Sequence, residues 1–141
     1  MTYATQQNLI DRFGEDELIQ LTDRAGLGVI DATVINRALG DADATINGYL
    51  AARYTLPLSN PVPEILERLA CDIARYALFE DQVTDIVEKR YKDAIARLRD
   101  VSAGKAELGI SDTSNKPAST ATAQMSSATP VFRREESGGF I

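Results

Sequence analysis

The chain has 141 residues, 15 Lys and Arg against 21 Asp and Glu, a formal charge of −6, no His and one Cys. That excludes a histidine general base, an imidazole metal ligand, an intrachain disulfide and a multi-cysteine zinc site. An acidic chain is also a poor sequence-independent ligand for DNA or an anionic membrane surface. What is left is a mostly helical, soluble, intracellular protein that works by contact. It is expected to be no enzyme and to need no cofactor.

The N-terminus Met1-Thr2-Tyr3 lacks a signal-peptide pattern, and no segment has the apolar length of a membrane span. Thr5 can cap a short helix running to Phe13, with Leu9, Ile10 and Phe13 on one face and Gly14 as its stop. Glu15-Asp16-Glu17 opens a second short helix through about Asp23, where acids suit the positive end of the dipole. Ala25 to Ile30 is a Gly-punctuated linker. Asp31 caps a third, longer helix, along which Ile35, Leu39, Ala42, Ile46, Leu50 and Tyr54 step by three or four. Gly40 and Gly48 interrupt its propensity at up to roughly 1 kcal/mol each. They imply close helix approach, or a kink at Gly40.

Thr55 to Pro63 holds three prolines and is read as a rigid extended connector. Leu56 and Leu58 can point outward from it toward a partner, or cover the body's own core. A fourth helix is predicted from about Glu64 to Asp81, with a broad apolar face that includes Leu66, Leu69, Ile73, Ala77 and Leu78. Cys71 is read there as a small core filler. Thr84 caps the last helix. Ile86, Val87, Tyr91, Ala94, Ile95, Leu98 and Val101 lie on its inner side, and Lys89, Arg90, Lys92, Arg97 and Arg99 on its outer side. Glu88–Lys92 and Asp93–Arg97 are favourable pairs. The outer face reads as a salt-laced exposed surface or as a charged surface between subunits.

The fold class is therefore all-α: about five helices, two short N-terminal and three longer, in a body of residues 1–110. Residues 111–141 form a C-terminal arm. From Ser111 to Thr129 the arm is Ser, Thr and Ala with almost no large apolar side chain, a composition expected to be disordered alone. Its end carries Phe132, Arg133, Arg134, Glu135 and Glu136, then Phe140 and Ile141, which reads as a docking peptide or as a frayed end. The arm holds three acids and three bases, so the whole −6 lies on the body.

The first two helices resemble a helix-turn-helix, which would make the chain a DNA-binding regulator. The reading helix would begin Glu-Asp-Glu, however, and three carboxylates would face phosphates. Carboxylate neighbours Asp41/Asp43 and Glu80/Asp81 are read as solvated surface rather than metal or acid–base sites. No Gly-rich phosphate loop is present.

A larger resemblance rests on Asp41-Ala42, Ile46, Gly48-Tyr49-Leu50, Arg53-Tyr54, Leu56-Pro57-Leu58 and Val62-Pro63, continued by Ala70 to Tyr76. Gly104-Lys105, Leu108-Gly109, Phe132, Arg134 and Gly139-Phe140 extend it. Together these resemble a family of small proteins from the head gene clusters of Mu-like phages and prophages. That family is similar to the head–tail connector, or neck adaptor, proteins of long-tailed phages. The resemblance implies a homo-oligomeric ring, usually twelve-fold, beneath the portal protein, extending the DNA channel toward a downstream stopper or tail-completion protein. Double-stranded DNA would pass without specific binding. The location implied is the virion neck, and the host cytoplasm during assembly. On that reading Phe132, Arg133, Arg134, Phe140 and Ile141 are the arm's contact residues, and Leu56 and Leu58 a second contact zone.

Overall fold

The computed structural model describes residues 2–58 and 61–110. Five helices follow in order: α1 (Gln6–Phe13), α2 (Glu15–Thr22), α3 (Ala32–Leu50), α4 (Glu64–Leu78) and α5 (Asp85–Ser102).

The helix starts follow from local chemistry. Thr5 and Asn8 form a reciprocal box at α1: each side chain accepts from the other's backbone N–H, at 3.3 and 2.7 Å. The Asp31 carboxylate accepts from Thr33 N–H (2.9 Å) at α3, and the Thr84 hydroxyl from Val87 N–H (3.4 Å) at α5. Pro63 stands at the cap of α4, where its missing N–H leaves nothing unsatisfied. Gly14 both ends α1 and starts α2, with φ +93°, a backbone conformation unfavourable for a residue with a Cβ. The two short helices therefore turn a corner on one glycine.

α3, α4 and α5 pack against one another as the central bundle, and α1 lies over α3 and α4. α4 contributes most to the core, with Leu66, Leu69, Ala70, Cys71, Ile73, Ala74 and Leu78 buried. It faces Ile35, Leu39, Ile46 and Leu50 of α3 and Leu98 and Val101 of α5. Leu9 and Leu18 bring the N-terminal corner into the same core. Tyr76 and Tyr91 stack between α4 and α5, with ring centroids 3.9 Å apart. Cys71 is a fully buried free thiol, held in the unreactive protonated form by burial that pushes its pKa up to about 11.

The arrangement agrees with the all-α expectation and corrects several details. α4 stops at Leu78, three residues short of the predicted end, because Phe79 turns to an extended conformation. α3 ends at Leu50; Tyr54 is buried, but from a turn beyond the helix. Gly40 and Gly48 do not mark close helix approach. Both are exposed in an unbroken helix, and a Cβ at either would meet nothing within 4 Å. Ala77 is exposed. Ile86 is 63% exposed rather than inward, and Val87 takes the inner position beside it. Asp93 pairs with Lys89 at 2.7 Å, not with Arg97, while Glu88–Lys92 forms at 3.3 Å.

Leu56 and Leu58 do not point outward. Leu58 is 7% exposed, and Leu56 is half-buried against the same core. Burying both side chains removes apolar surface from water, which the connector gains nothing by leaving exposed. The Leu56–Pro57 peptide bond is cis.

Candidate partner-contact surface

Three regions of the body's surface stand out. The first is the loop between α2 and α3. Asp23 accepts from the backbone N–H groups of Leu27 (2.8 Å) and Gly28 (2.6 Å), which hold its carboxyl below the usual carboxylate range. Thr22, fully buried, donates its hydroxyl to Leu18 O (2.8 Å) and accepts from Asp31 N–H (3.0 Å). Gly26 and Gly28 take positive φ values of +73° and +78°. The loop is thus pinned at both feet. It projects Leu27, 74% exposed, and Val29, 57% exposed. Arg24 ties its base to Glu80 of the α4–α5 loop at 2.8 Å, so the two loops share one end of the bundle.

The second region is the opposite end, where the chain leaves α3 and α5. Arg53 donates to Val101 O (2.9 Å) and Ala106 O (3.1 Å). It therefore joins the α3 exit to the segment after α5. Leu108 is buried there, and Ile110 packs half-buried on the core at the last described position. The arm departs from this end.

The third region is a groove between α4 and α5. It consists of two adjoining clefts of about 350 and about 320 Å³ that share Arg68, Asp72 and Arg90. At its head stand Arg12 and Phe13 of α1. Farther along, Ile65, Leu69 and Ala94 form an apolar floor, with Arg97 and Asp100 among the charged residues. Asp72 is 7% exposed, and burial pushes its carboxyl above the usual range although Arg68 stands 3.9 Å away. Arg12 is engaged with Glu67 at 2.8 Å. Among the described residues, Arg90 and Arg97 make no ion pair within 4 Å. Both are exposed, as the outer-side reading of the last helix expects, and both border the groove.

The N-terminal corner is less suited to DNA. Arg75 donates to both carboxylate oxygens of Glu17, from Nε at 2.7 Å and from Nη2 at 2.8 Å, and the same guanidinium lies over Phe13 at 4.2 Å. This joins the corner to α4. Glu15 and Asp16 remain exposed at the head of α2. Phosphates approaching there would meet carboxylates. Asp43 secures the start of the chain by accepting from Tyr3 N–H at 3.0 Å, while the Tyr3 hydroxyl donates to Asn47. Burial, then Asp43, raise the Tyr3 pKa to about 12.

The predicted arm residues Phe132, Arg133, Arg134, Phe140 and Ile141 lie outside the described residues. The remaining predicted pair, Leu56 and Leu58, belongs to the core. The sequence reading missed the Asp23-held loop, the Arg75–Glu17 bond and the groove. Asp23 followed by Gly26 and Gly28 was a usable signal for the loop.

The family model described as Bacteriophage Mu, Gp36 matches residues 3–127. A "Mu-like prophage FluMu protein gp36" from Haemophilus influenzae is 40% identical over 139 residues, covering 99% of this chain and 98% of that protein. "Gene product J" of Escherichia phage Mu is 39% identical over 140 residues, covering 98% of this chain and 99% of its own length.

Proposed function

The chain belongs to the Bacteriophage Mu Gp36 family, and on that premise we propose that it is a head–tail connector of a Mu-like phage. The coarser part, a phage structural or morphogenesis protein, rests on the family alone. The finer part is a ring of copies, twelve by resemblance to neck adaptors, seated under the portal protein. The ring lengthens the DNA channel and receives a stopper or tail-completion protein in the virion neck. It acts by contact and not by catalysis.

The observation that carries this reading is the family correspondence along nearly the whole chain. Physical features agree with it. A closed ring repeats one head-to-tail interface, which needs two different surfaces on each copy. The pinned loop offers Leu27 and Val29 at one end, and the groove offers charge along the side. The acidic body suits a channel through which DNA slides, because phosphate contacts would retain it. No described helix is long and apolar enough to cross a membrane.

The test images particles with the portal protein present and absent, for the full chain and for a chain lacking residues 130–141. The full chain is expected to add a ring to the portal. The shortened chain is expected to keep its helical circular dichroism and lose portal assembly. Equal portal binding by the shortened chain would remove the arm's role. Absence of any ring or portal binding by the full chain would remove the connector reading.

A further inference from the structure

We infer that the end of the bundle formed by the α2–α3 and α4–α5 loops docks a different protein, through a segment that presents an apolar side chain flanked by Lys or Arg. The large apolar side chains that stand exposed among the described residues are Leu27, Val29 and Ile86. All three lie at this end: Leu27 and Val29 precede α3, and Ile86 is in the first turn of α5. Arg24 and Glu80, 2.8 Å apart, join the two loops. A cleft of about 360 Å³ opens beside that pair, with half-buried Leu21 and Phe79 in its wall. Single exposed apolar side chains are ordinary surface, but three gathered at one end mark a contact surface. The loop that carries two of them is already held by Asp23, so binding has little backbone left to order.

Charge selects the occupant. Residues 23–31 and 79–85 hold five acids and one base, whereas residues 51–63 and 103–110, at the opposite end, hold one acid and two bases. Asp23 and Asp31 are engaged with backbone N–H groups, and Glu80 with Arg24. Asp81 and Asp85 are exposed and make no ion pair within 4 Å among the described residues. An apolar segment with Lys or Arg beside it gains ion pairs there, while an acidic segment or the phosphates of nucleic acid are repelled. A second copy does not answer both parts of this surface. Two copies meeting by this end would set carboxylates against carboxylates. Elsewhere the described body presents no exposed large apolar side chain, and Leu69 and Ala94 in the floor of the groove are buried. In a ring, a neighbour's groove can meet the charges of this end but leaves Leu27 and Val29 uncovered. The inference stands on the chemistry of this end and does not depend on a ring.

The experiment titrates the full chain into three fluorescent twelve-residue peptides, one of Leu and Lys, one of Leu and Glu, one of Ser and Lys, and maps amide shifts on the chain. The Leu–Lys peptide is expected to bind at least tenfold more tightly than either of the others, with shifts gathered at residues 20–31 and 79–88. Leu27→Ser with Val29→Ser is expected to weaken that binding at least tenfold. Asp81→Lys with Asp85→Lys is expected to transfer the preference to the Leu–Glu peptide. Asp41→Lys with Glu64→Lys makes the same change of net charge at exposed positions away from this end, and is expected to leave the affinity within twofold. An equal loss in that control overturns the dock, by reducing the binding to general acidity. So do equal affinities for the three peptides, shifts spread over the whole body, or binding indifferent to the two serines. Self-association in sedimentation velocity that the two serines dissolve also overturns it, by assigning this end to a second copy. If the variant with lysines at 81 and 85 loses helical signal, the peptide comparison and the shift map on the unchanged chain decide the matter. A chain that builds no ring leaves each of these readings in place, so this inference and the connector reading fail separately.

Discussion

The two ends of the bundle treat apolar loop residues in opposite ways. At one end Leu56 and Leu58 fold inward, and Arg53 secures the neighbouring backbone by donating to Val101 O and Ala106 O. At the other end Leu27 and Val29 project outward from a loop whose backbone is secured by Asp23. Both loops have ordered polar anchors. They differ in which apolar side chains the core takes up. At the α2–α3 end Ile30 packs on the core, beside the buried Leu18, Thr22 and Ile35, while Leu27 and Val29 of the same loop stay outside it. An exposed leucine on a firmly held loop is therefore not held there by the core, while a leucine beside prolines can be ordinary core.

The largest test of that contrast is Leu58→Ala. It should cost about 2–4 kcal/mol in urea unfolding, as for other buried leucines. A loss near zero would return Leu58 to the outward reading. Next comes Arg53→Met, which leaves two carbonyls without that donor and should cost about 1–3 kcal/mol by the same measurement.

Asp23→Ala should act locally, speeding amide exchange at Leu27 and Gly28 while the bundle melts nearly unchanged. The pH dependence has a definite sign. The folded carboxyl lies below its unfolded value of about 3.9, so its contribution is present above that value and lost as pH falls through the folded one. Exchange at these two amides, corrected for intrinsic rates, should rise on acidification below the ordinary carboxylate range. Loop order that is indifferent to pH would mean that Asp23 is not the anchor. The smallest stability effect belongs to Leu27→Ala, within about 0.5 kcal/mol of the parent. A larger loss in the monomer would show that this side chain serves the fold after all.

Much of the fold was legible because its signals are local. The caps Thr5, Asp31 and Thr84 sit where short polar side chains can reach the first free N–H groups. The stripe Ile35, Leu39, Ala42, Ile46, Leu50 needs nothing but a 3.6-residue period. The misreadings involve information that period does not contain. Ile86 fits the inner pattern but stands in the first turn of its helix, where Val87 already fills the inward position. Phe79 could have continued α4 by propensity. Gly40 and Gly48 suggested a close neighbour, yet their face of α3 is open. The site was harder to read. Arg75 meets Glu17 across 58 positions, and the groove joins residues of α1, α4 and α5, so neither could be seen along any one helix. Family resemblance could be read in the motifs, but a surface between helices has no motif of its own.

The Thr22 hydroxyl has a consequence for how the molecule opens. One oxygen binds the end of α2, through Leu18 O, and the start of α3, through Asp31 N–H. Fraying of the α2 terminus must therefore strip a partner from the first residue before α3. The joint behaves as a shared latch, and the two helix ends should enter and leave the native state in the same cooperative step. Slow amide exchange at Asp31 would then report on the integrity of a helix to which it does not belong.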